Sequence, residues 1–348
     1  MGPVCYPVAM PSAPLATRRL DAARDADVAE AVRLLRAGRL VAVPTETVYG
    51  LAADAMNPEA VRGIFAAKGR PANHPLIVHL GDAAWLDDWA RDVPEAARRL
   101  AAAFWPGPLT LLLHRADHVP DTATGGRPSI GLRMPDHPVL LRVLRALGSG
   151  VAAPSANPYQ RLSPTTADQV LAGLGGRIDA VLDGGPCAVG LESTIVDLTG
   201  NAPRIVRAGP ITRRQLEDVL GVAVAFPEAH DTAVPGNVAV HYRPHTPLYV
   251  LGTEALRTRL AALPAEARIA LLAQTPDLRG LPAAGVALRI AMPTDKAGYA
   301  RLLYDALHTA DAAGVDAIWL ERPPADEDWL DVHDRLARAA SAAPGDIA

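Results

Sequence analysis

Residues 40–80 read LVAVPTETVYGLAADAMNPEAVRGIFAAKGRPANHPLIVHL. The apolar run Leu40-Val41-Ala42-Val43 has the length of a buried strand, and Pro44 stops it. Small and acidic groups follow: Thr45, Glu46 and Thr47. Pro58 to Lys68 has helical spacing, with Val61, Ile64 and Phe65 on one face. The turn Lys68-Gly69-Arg70-Pro71 gathers two cations, and Leu76 to Leu80 reads as a second strand carrying His79. This spacing predicts a βαβ unit. Hydroxyls at one strand end, cations after the helix and an imidazole on the next strand suit an anionic ligand. An ordinary βαβ unit with a solvated basic turn has the same spacing.

The remaining composition bounds the answer. The chain has 348 residues, 49% of them hydrophobic, which is enough for two domains. Only 4% are aromatic, so the cores are expected to be built from Ala, Val and Leu. A net charge of -4 disfavours a general nucleic-acid coat. Cys5 and Cys187 stand far apart, which excludes a disulfide framework and a cysteine-rich metal site. No apolar run approaches the roughly 18 residues of a membrane span. Met1 to Thr17 has no cationic segment ahead of a long apolar core; it reads as a flexible tail, with Met10 as an alternative start. The expected setting is cytoplasmic.

Outward from the opening stretch, strand and helix patterns alternate. Asp27 to Ala37 reads as a helix closed by Gly38. Leu109–Leu113, Ser129–Arg133, Val151–Ala153 and Ala180–Asp183 read as strands. Ser193–Leu198 and Arg204–Arg207 read as a hairpin around Gly200-Asn201, and Thr212 as the N-cap of a helix ending at Leu220. In Pro154-Ser155-Ala156-Asn157-Pro158 two prolines hold Ser-Ala-Asn in a rigid turn. Residues 226–247 differ: four prolines, little periodicity, and the cluster His241-Tyr242-Arg243-Pro244-His245. A plain linker has no reason to concentrate His, Tyr and Arg, so this segment is expected to lie on a ligand; packing along its own surface is the alternative. Beyond it, Leu248–Leu251, Ile269–Ala273, Val286–Ile290 and Ala317–Leu320 alternate with helices, the pattern of a small parallel-sheet domain with no obvious polar constellation.

The chemistry is bounded first by what is missing. There is no phosphate loop of the G-x-x-x-x-G-K-[ST] type, no G-x-G-x-x-G after a strand, no H-E-x-x-H, C-x-x-C or G-x-S-x-G. Polar groups at turns remain. Lys68 and Arg70 flank Gly69, a point charge beside a bidentate fork. Ser155 and Asn157 flank Ala156, while Arg133 and Arg207 end strands. Each alone reads as a solvated charge or a satisfied polar group, and His79 as a core histidine. Their co-occurrence in one α/β domain argues for a nucleotide or polyphosphate site, where transfer rests on positioning and charge neutralisation.

These residues resemble a known family. Pro44-Thr45-Glu46-Thr47-Val48-Tyr49-Gly50-Leu51, Lys68-x-Arg70-Pro71, Pro75-Leu76 with His79, Ser155-Ala156-Asn157, Ser163-Pro164-Thr165 and Glu192-Ser193-Thr194-Ile195-Val196-Asp197 are similar to the YrdC-like domain of L-threonylcarbamoyladenylate synthases. Pro235-Gly236 and His241-Tyr242-x-Pro244, with the α/β segment after them, resemble the linker and C-terminal domain of the long form. The resemblance implies an α/β fold: a YrdC-like twisted mixed sheet with a large basic cavity, then a small Rossmann-like parallel-sheet domain. The implied layout is a tail over 1–17, a catalytic domain over 18–225, a lid-like linker over 226–247 and a C-terminal domain over 248–348. The implied reaction joins L-threonine, bicarbonate and ATP into L-threonylcarbamoyl-AMP and pyrophosphate, feeding a downstream tRNA threonylcarbamoyltransferase complex that modifies A37 of ANN-decoding tRNAs.

The same resemblance assigns L-threonine to Thr47, His79, Arg133, Ala153 and Ser193. It assigns ATP to Lys68, Arg70, His74, Ser129, Ser155, Asn157, Ser163, Arg207 and Tyr242, with Lys68, Arg70, Ser155 and Asn157 carrying the chemistry. Magnesium is expected on the ATP phosphates, with no dedicated protein metal site. Neither stable nucleic-acid binding nor a membrane is required. The chain departs from the family pattern at His74, where Asn is usual, and at Tyr159-Gln160, which replaces a small Ser-Gly pair. The alternative is an RNA-binding or regulatory YrdC-like protein without synthase activity.

Overall fold

The computed structural model of the chain describes residues 15–227, 232–236 and 241–341. Most of the tail expected over 1–17, parts of the 226–247 segment and the last residues of the 248–348 domain therefore lie outside the described residues.

The opening stretch holds one more strand than its spacing predicts. After β1 (Arg18–Asp21) and α1 (Asp25–Arg36), strand β2 (Val41–Val43) pairs antiparallel with β3 (Gly50–Asp54), Val41 against Ala52 and Val43 against Gly50. The unit is therefore β-β-α-β, a correction to the plain βαβ reading. Gly-Leu-Ala-Ala-Asp has neither alternation nor β-branched residues, so β3 carries no strand signal. Between the two strands the Thr45 hydroxyl donates to the Val48 carbonyl at 2.7 Å and accepts from the backbone N–H of Thr47 and Val48, each at 3.1 Å. That side-chain turn aims Thr47 inward.

Helix α2 (Pro58–Lys68) begins on Asn57, whose side chain accepts from the N–H groups of Glu59 and Ala60 at 3.1 and 3.2 Å. It ends on Gly69, left-handed at φ 64°, so Lys68 is its last residue. Strand β4 (Ile77–His79) follows, then α3 (Leu86–Trp89), β5 (Ala90–Arg91), α4 (Glu95–Phe104), β6 (Leu109–Arg115) and β7 (Ser129–Arg133). The domain is completed by α5 (Pro138–Leu147), β8 (Val151–Ala152), α6 (Ala167–Leu174), β9 (Ala180–Asp183), β10 (Thr194–Asp197), β11 (Arg204–Arg207) and α7 (Arg213–Leu220).

These strands form one mixed sheet in the order β1-β9-β2-β3-β8-β4-β7-β6-β10-β11, with β5 beside β6. Alternate side chains feed two apolar layers. Val41 and Val43 pack with Val32 and Leu35 of α1 and Leu140 and Leu144 of α5. Ala42 and Leu51 face the other way, with Ile64 of α2 and Leu100 of α4. The register places His79 directly opposite Arg133 and Gly50 opposite Ser155, so distant motifs converge at one place on the sheet.

The second domain runs β12 (Leu248–Leu251), α8 (Thr253–Ala261), β13 (Ile269–Ala273), α9 (Pro276–Gly280), β14 (Val286–Ala291), α10 (Lys296–Asp311), β15 (Ala317–Glu321) and α11 (Leu330–Ala339). Its four strands are all parallel, ordered β12-β15-β13-β14. A polar constellation that the sequence did not announce closes its strand ends. Buried Glu321 accepts from the Thr253 and Thr275 hydroxyls at 2.8 and 2.5 Å and from the N–H groups of Gln274 and Thr275 at 2.7 and 2.8 Å. In an open α/β sheet this is where a ligand would bind; here the chain's own carboxylate takes up those donors. The domains share a core in which Val48, Leu162, Leu191 and Tyr242 meet Leu303, Tyr304 and Leu336. Among the described residues no helix is long and apolar enough to cross a membrane.

Candidate active site

Two groups of polar side chains, drawn from turns and strand ends, gather at a common space; Lys68, His74, Ser129, Asn157 and Ser163 stand around it without lining it. In the first, the Arg133 guanidinium is the organiser. Its Nη1 donates to the Thr47 hydroxyl at 3.0 Å and its Nε to the Gly107 carbonyl at 3.1 Å. Its Nη2 lies 2.5 Å from a Glu46 carboxylate oxygen, a contact of charges without hydrogen-bond alignment. His79 is buried beside it with Nδ1 unpartnered, and burial first, then the Arg133 charge, hold its pKa well below the ordinary value. Ser193 completes this group. Its hydroxyl lies 2.7 Å from that of Thr110 and accepts from Arg207 at 3.0 Å, and its carbonyl takes Arg207 Nε and Nη2 at 3.0 and 2.9 Å.

The second group is less uniform. Arg70 lines the space, donates to the Pro75 carbonyl at 2.9 Å and keeps Nε unpartnered; burial lowers its pKa to about 10. Lys68 turns away from the space. Its ammonium donates to the carbonyls of Ser155 and Asn157, both at 2.5 Å, and so fixes the Ser-Ala-Asn turn. Burial, then the neighbouring Arg70, push its pKa well down. Asn157 donates to the carbonyls of Pro158 and Arg161, each at 2.8 Å. The Ser163 hydroxyl donates to Glu192 at 2.6 Å. Ser129 faces a smaller neighbouring niche with Val234 and Pro235. His74 is engaged by Tyr159, 3.4 Å from its hydroxyl to Nδ1, so the two departures from the family pattern touch each other.

The connecting segment closes this space. Pro235, Gly236, His241 and Tyr242 line it together with Thr47, Arg70, His79, Arg133, Ala153, Ser155, Ser193 and Arg207. Arg207 Nη1 holds the Pro235 carbonyl at 2.9 Å, and the Tyr242 ring packs against His241 at 4.0 Å and Tyr304 at 5.8 Å. The free volume is only about 50 Å³, room for about one or two waters. The large cavity expected from the sequence is thus filled in this state by the chain itself.

Several residues of the site escaped the sequence reading. Glu46 and Glu192 stand inside the motifs with no role legible there, and Tyr304 and Arg335 belong to no motif. Arg335 had one legible signal: with Val332, Leu336 and Ala339 it lies on the buried face of α11, where a charge needs a partner.

Fold and site together define a class: an α/β protein whose mixed sheet gathers buried cations, hydroxyls and an imidazole beneath a strap leading to a second, parallel-sheet domain. Comparison with known proteins agrees. A family model for Sua5, YciO and YrdC proteins, described as telomere recombination, matches residues 33–209; one described as the C-terminal domain of threonylcarbamoyl-AMP synthase matches 211–341. The threonylcarbamoyl-AMP synthase of Bacillus subtilis is 38% identical over 323 residues, covering 91% of this chain and 93% of its own. That of Pyrococcus abyssi is 37% identical over 325 residues, covering 89% and 93%. The crystal structure of P. abyssi Sua5 complexed with L-threonine superposes with a TM-score of 0.83 at 33% identity, over 94% of this chain and 99% of that one. The chain belongs to the Sua5/YciO/YrdC family, in the two-domain form that carries the Sua5 C-terminal domain.

Proposed function

We propose that this chain is a threonylcarbamoyl-AMP synthase, making L-threonylcarbamoyl-AMP and pyrophosphate from L-threonine, bicarbonate and ATP. The observation that carries this reading is the meeting of two unlike polar groups in one buried space, Thr47, His79, Arg133 and Ser193 at one end and Arg70, Ser155 and Arg207 at the other. The first group suits a small zwitterion: a guanidinium for the carboxylate, with neutral imidazole and hydroxyls for the ammonium and side chain. The second suits the phosphates of a nucleotide. A relative that superposes over nearly the whole chain was solved with L-threonine.

On this reading the threonine amine attacks bicarbonate, with loss of water, or CO₂ derived from it, with loss of the amine proton to solvent, to give N-carboxythreonine. A carbamate oxygen then attacks the α-phosphorus of ATP and pyrophosphate leaves. The protein brings three anions together in a water-poor place and neutralises them; no covalent nucleophile is needed. Lys68 contributes by holding the Ser155–Asn157 turn, and Arg70 and Arg207 by facing the phosphates. The space of about 50 Å³ holds neither substrate, so the strap withdraws to admit them and returns to keep water from a labile mixed anhydride. Magnesium would be held by the nucleotide's phosphates and would neutralise part of their charge; Glu46 and Glu192, the carboxylates nearest the space, are paired with arginines. The product passes, in the cytoplasm, to a tRNA-modifying transferase.

The test is threonine-dependent pyrophosphate release from ATP, with labelled bicarbonate followed into the product. Release that is absent, or indifferent to threonine, overturns the proposal. Arg70→Ala is expected to abolish turnover in a folded protein.

A further inference from the structure

The C-terminal domain reaches the candidate site through one buried guanidinium. Arg335 of α11 is 1% exposed, and its Nε donates to Glu192 Oε2 at 2.8 Å. Its Nη1 holds Asp334 at 2.8 Å, and its guanidinium carbon lies 5.4 Å from the centre of the Tyr242 ring. Glu192 spends its other oxygen on the catalytic domain, accepting from the Ser163 hydroxyl at 2.6 Å, while the Tyr304 hydroxyl of α10 reaches Oε2 at 3.1 Å. The Ser163 carbonyl is in turn 3.1 Å from His308 Nε2, also on α10. The hydroxyl and the carbonyl of Ser163 are therefore tied, through Glu192 and directly, to the second domain.

We propose that Arg335 is a positioning residue for the nucleotide half of the site, acting through Glu192 on Ser163 and across the Tyr242 ring on the strap. This deepens the proposed function and rests on it for the identity of the nucleotide.

Burial alone would raise the Glu192 carboxyl, but Arg335 foremost, then Arg207 and the Ser163 hydroxyl, pull it down to about 2. The carboxylate is thus charged, and without Arg335 it would be a buried anion lacking its principal partner. It would draw on Arg207 or on water, and Ser163 would lose its fixed acceptor. A lysine cannot replace the fork that meets Glu192 and Asp334 together. The Arg133 end of the threonine half is anchored separately, and Ser193, which shares Arg207 with the nucleotide half, keeps the Thr110 hydroxyl besides. The hydrogen bonds of Arg133 run to Thr47 and Gly107 and its ion pair to Glu46, and Ser193 is held by Thr110 and Arg207. A fault at Arg335 should therefore reach ATP before threonine.

The experiment is steady-state kinetics on the full chain with Arg335→Ala, Arg335→Lys and Glu192→Gln, each checked for folding by circular dichroism and Tm. The KM for ATP is expected to rise about 10- to 100-fold, with the KM for threonine within about twofold. Ser163→Ala, added to Arg335→Ala, should change the KM for ATP by less than about twofold further, because the coupling is already broken. Equal rises in both KM values, full additivity of the two substitutions, or an unchanged KM for ATP in a folded variant overturns the proposal. If Arg335→Ala fails to fold, Arg335→Lys and Glu192→Gln decide by the same split. Amide hydrogen exchange at residues 160–165 and 192–194 separates this from the activity reading. A wild-type chain without threonine-dependent turnover counts against the proposed function alone. Faster exchange in Glu192→Gln or Arg335→Lys then still supports the positioning role, and unchanged exchange overturns it.

Discussion

Glu46 and Arg133 meet at 2.5 Å with 6% and 4% of their side chains exposed, and no described donor is aligned on either Glu46 oxygen. Arg133 has hydrogen bonds to Thr47 and Gly107, but each of these two desolvated charges is the other's counter-charge, so removing Glu46 leaves a buried guanidinium without one. Glu46→Ala is expected to cost about 3–5 kcal/mol by urea denaturation, the range for breaking a buried pair. A loss below about 1 kcal/mol would mean the pair behaves as an exposed one. Lys68→Met tests a different role. The sequence brought Lys68 and Arg70 together but could not tell their directions, because the left-handed Gly69 between them turns one inward to the Ser-Ala-Asn carbonyls and leaves the other facing the space. The Ser155 carbonyl keeps the Asn157 N–H at 3.0 Å, so orphaning the buried Asn157 carbonyl should cost about 1–3 kcal/mol, alongside lost turnover. Unchanged stability with lost turnover would instead make Lys68 a direct phosphate contact.

At the scale of elements, the site depends on how the loop before β10 meets α10. Gly190 sits at φ 88°, and a Cβ there would lie 2.5 Å from Arg301 Cα and 2.6 Å from the Ala300 carbonyl oxygen. Both the left-handed backbone and the contact exclude a larger residue. Gly190→Ala should therefore push α10 away, carry Glu192 off Arg335 and lower stability by at least about 1–3 kcal/mol, with earlier proteolytic cleavage in the segment between the domains. A Tm within experimental error of wild type would show that the loop shifts freely. This contact also marks the limit of the sequence. Periodicity and caps located α2, α7 and α10 and the strands of the second sheet, because those elements bury one clear face. It missed β1, whose Arg-Arg-Leu-Asp is an edge strand with charged faces, and β3, whose small residues fit only because Ala153 and Pro154 lie against Gly50. The motif residues were legible as polar groups at strand ends. Their partners were not, since Glu192 and Arg335 are joined only by the docking of two domains.

Over the whole molecule, burial keeps a set of histidines neutral, and this fixes the sign of the pH dependence. His241 lies between Tyr159 and Tyr242, and burial foremost holds its pKa at about 3; Glu192 opposes the shift, and Lys68, Arg70 and Arg335 add to it. His74, His79, His137 and His308 are lowered as well, burial leading in each case. An unfolded chain takes up these protons near pH 6.5, whereas the native His241 waits until about pH 3. Between those values the unfolded state binds more protons, so the stability these histidines contribute is full above about pH 7 and declines as the pH falls. Each such histidine removes at most about 1.4 kcal/mol per pH unit within its window. The Glu192 carboxyl, lowered to about 2, adds its own loss only below the ordinary carboxylate range. The expected Tm profile falls steadily below about pH 6. His241→Gln, which cannot titrate, should give a shallower decline between about pH 6 and 4, and the wild-type connecting segment should become protease-sensitive over the same interval, because an opened segment takes up the proton that the closed one, with Lys68, Arg70 and Arg335 nearby, refuses until about pH 3. Parallel Tm slopes in the two proteins would place the acid sensitivity in the other histidines and remove His241 from the closure of the site.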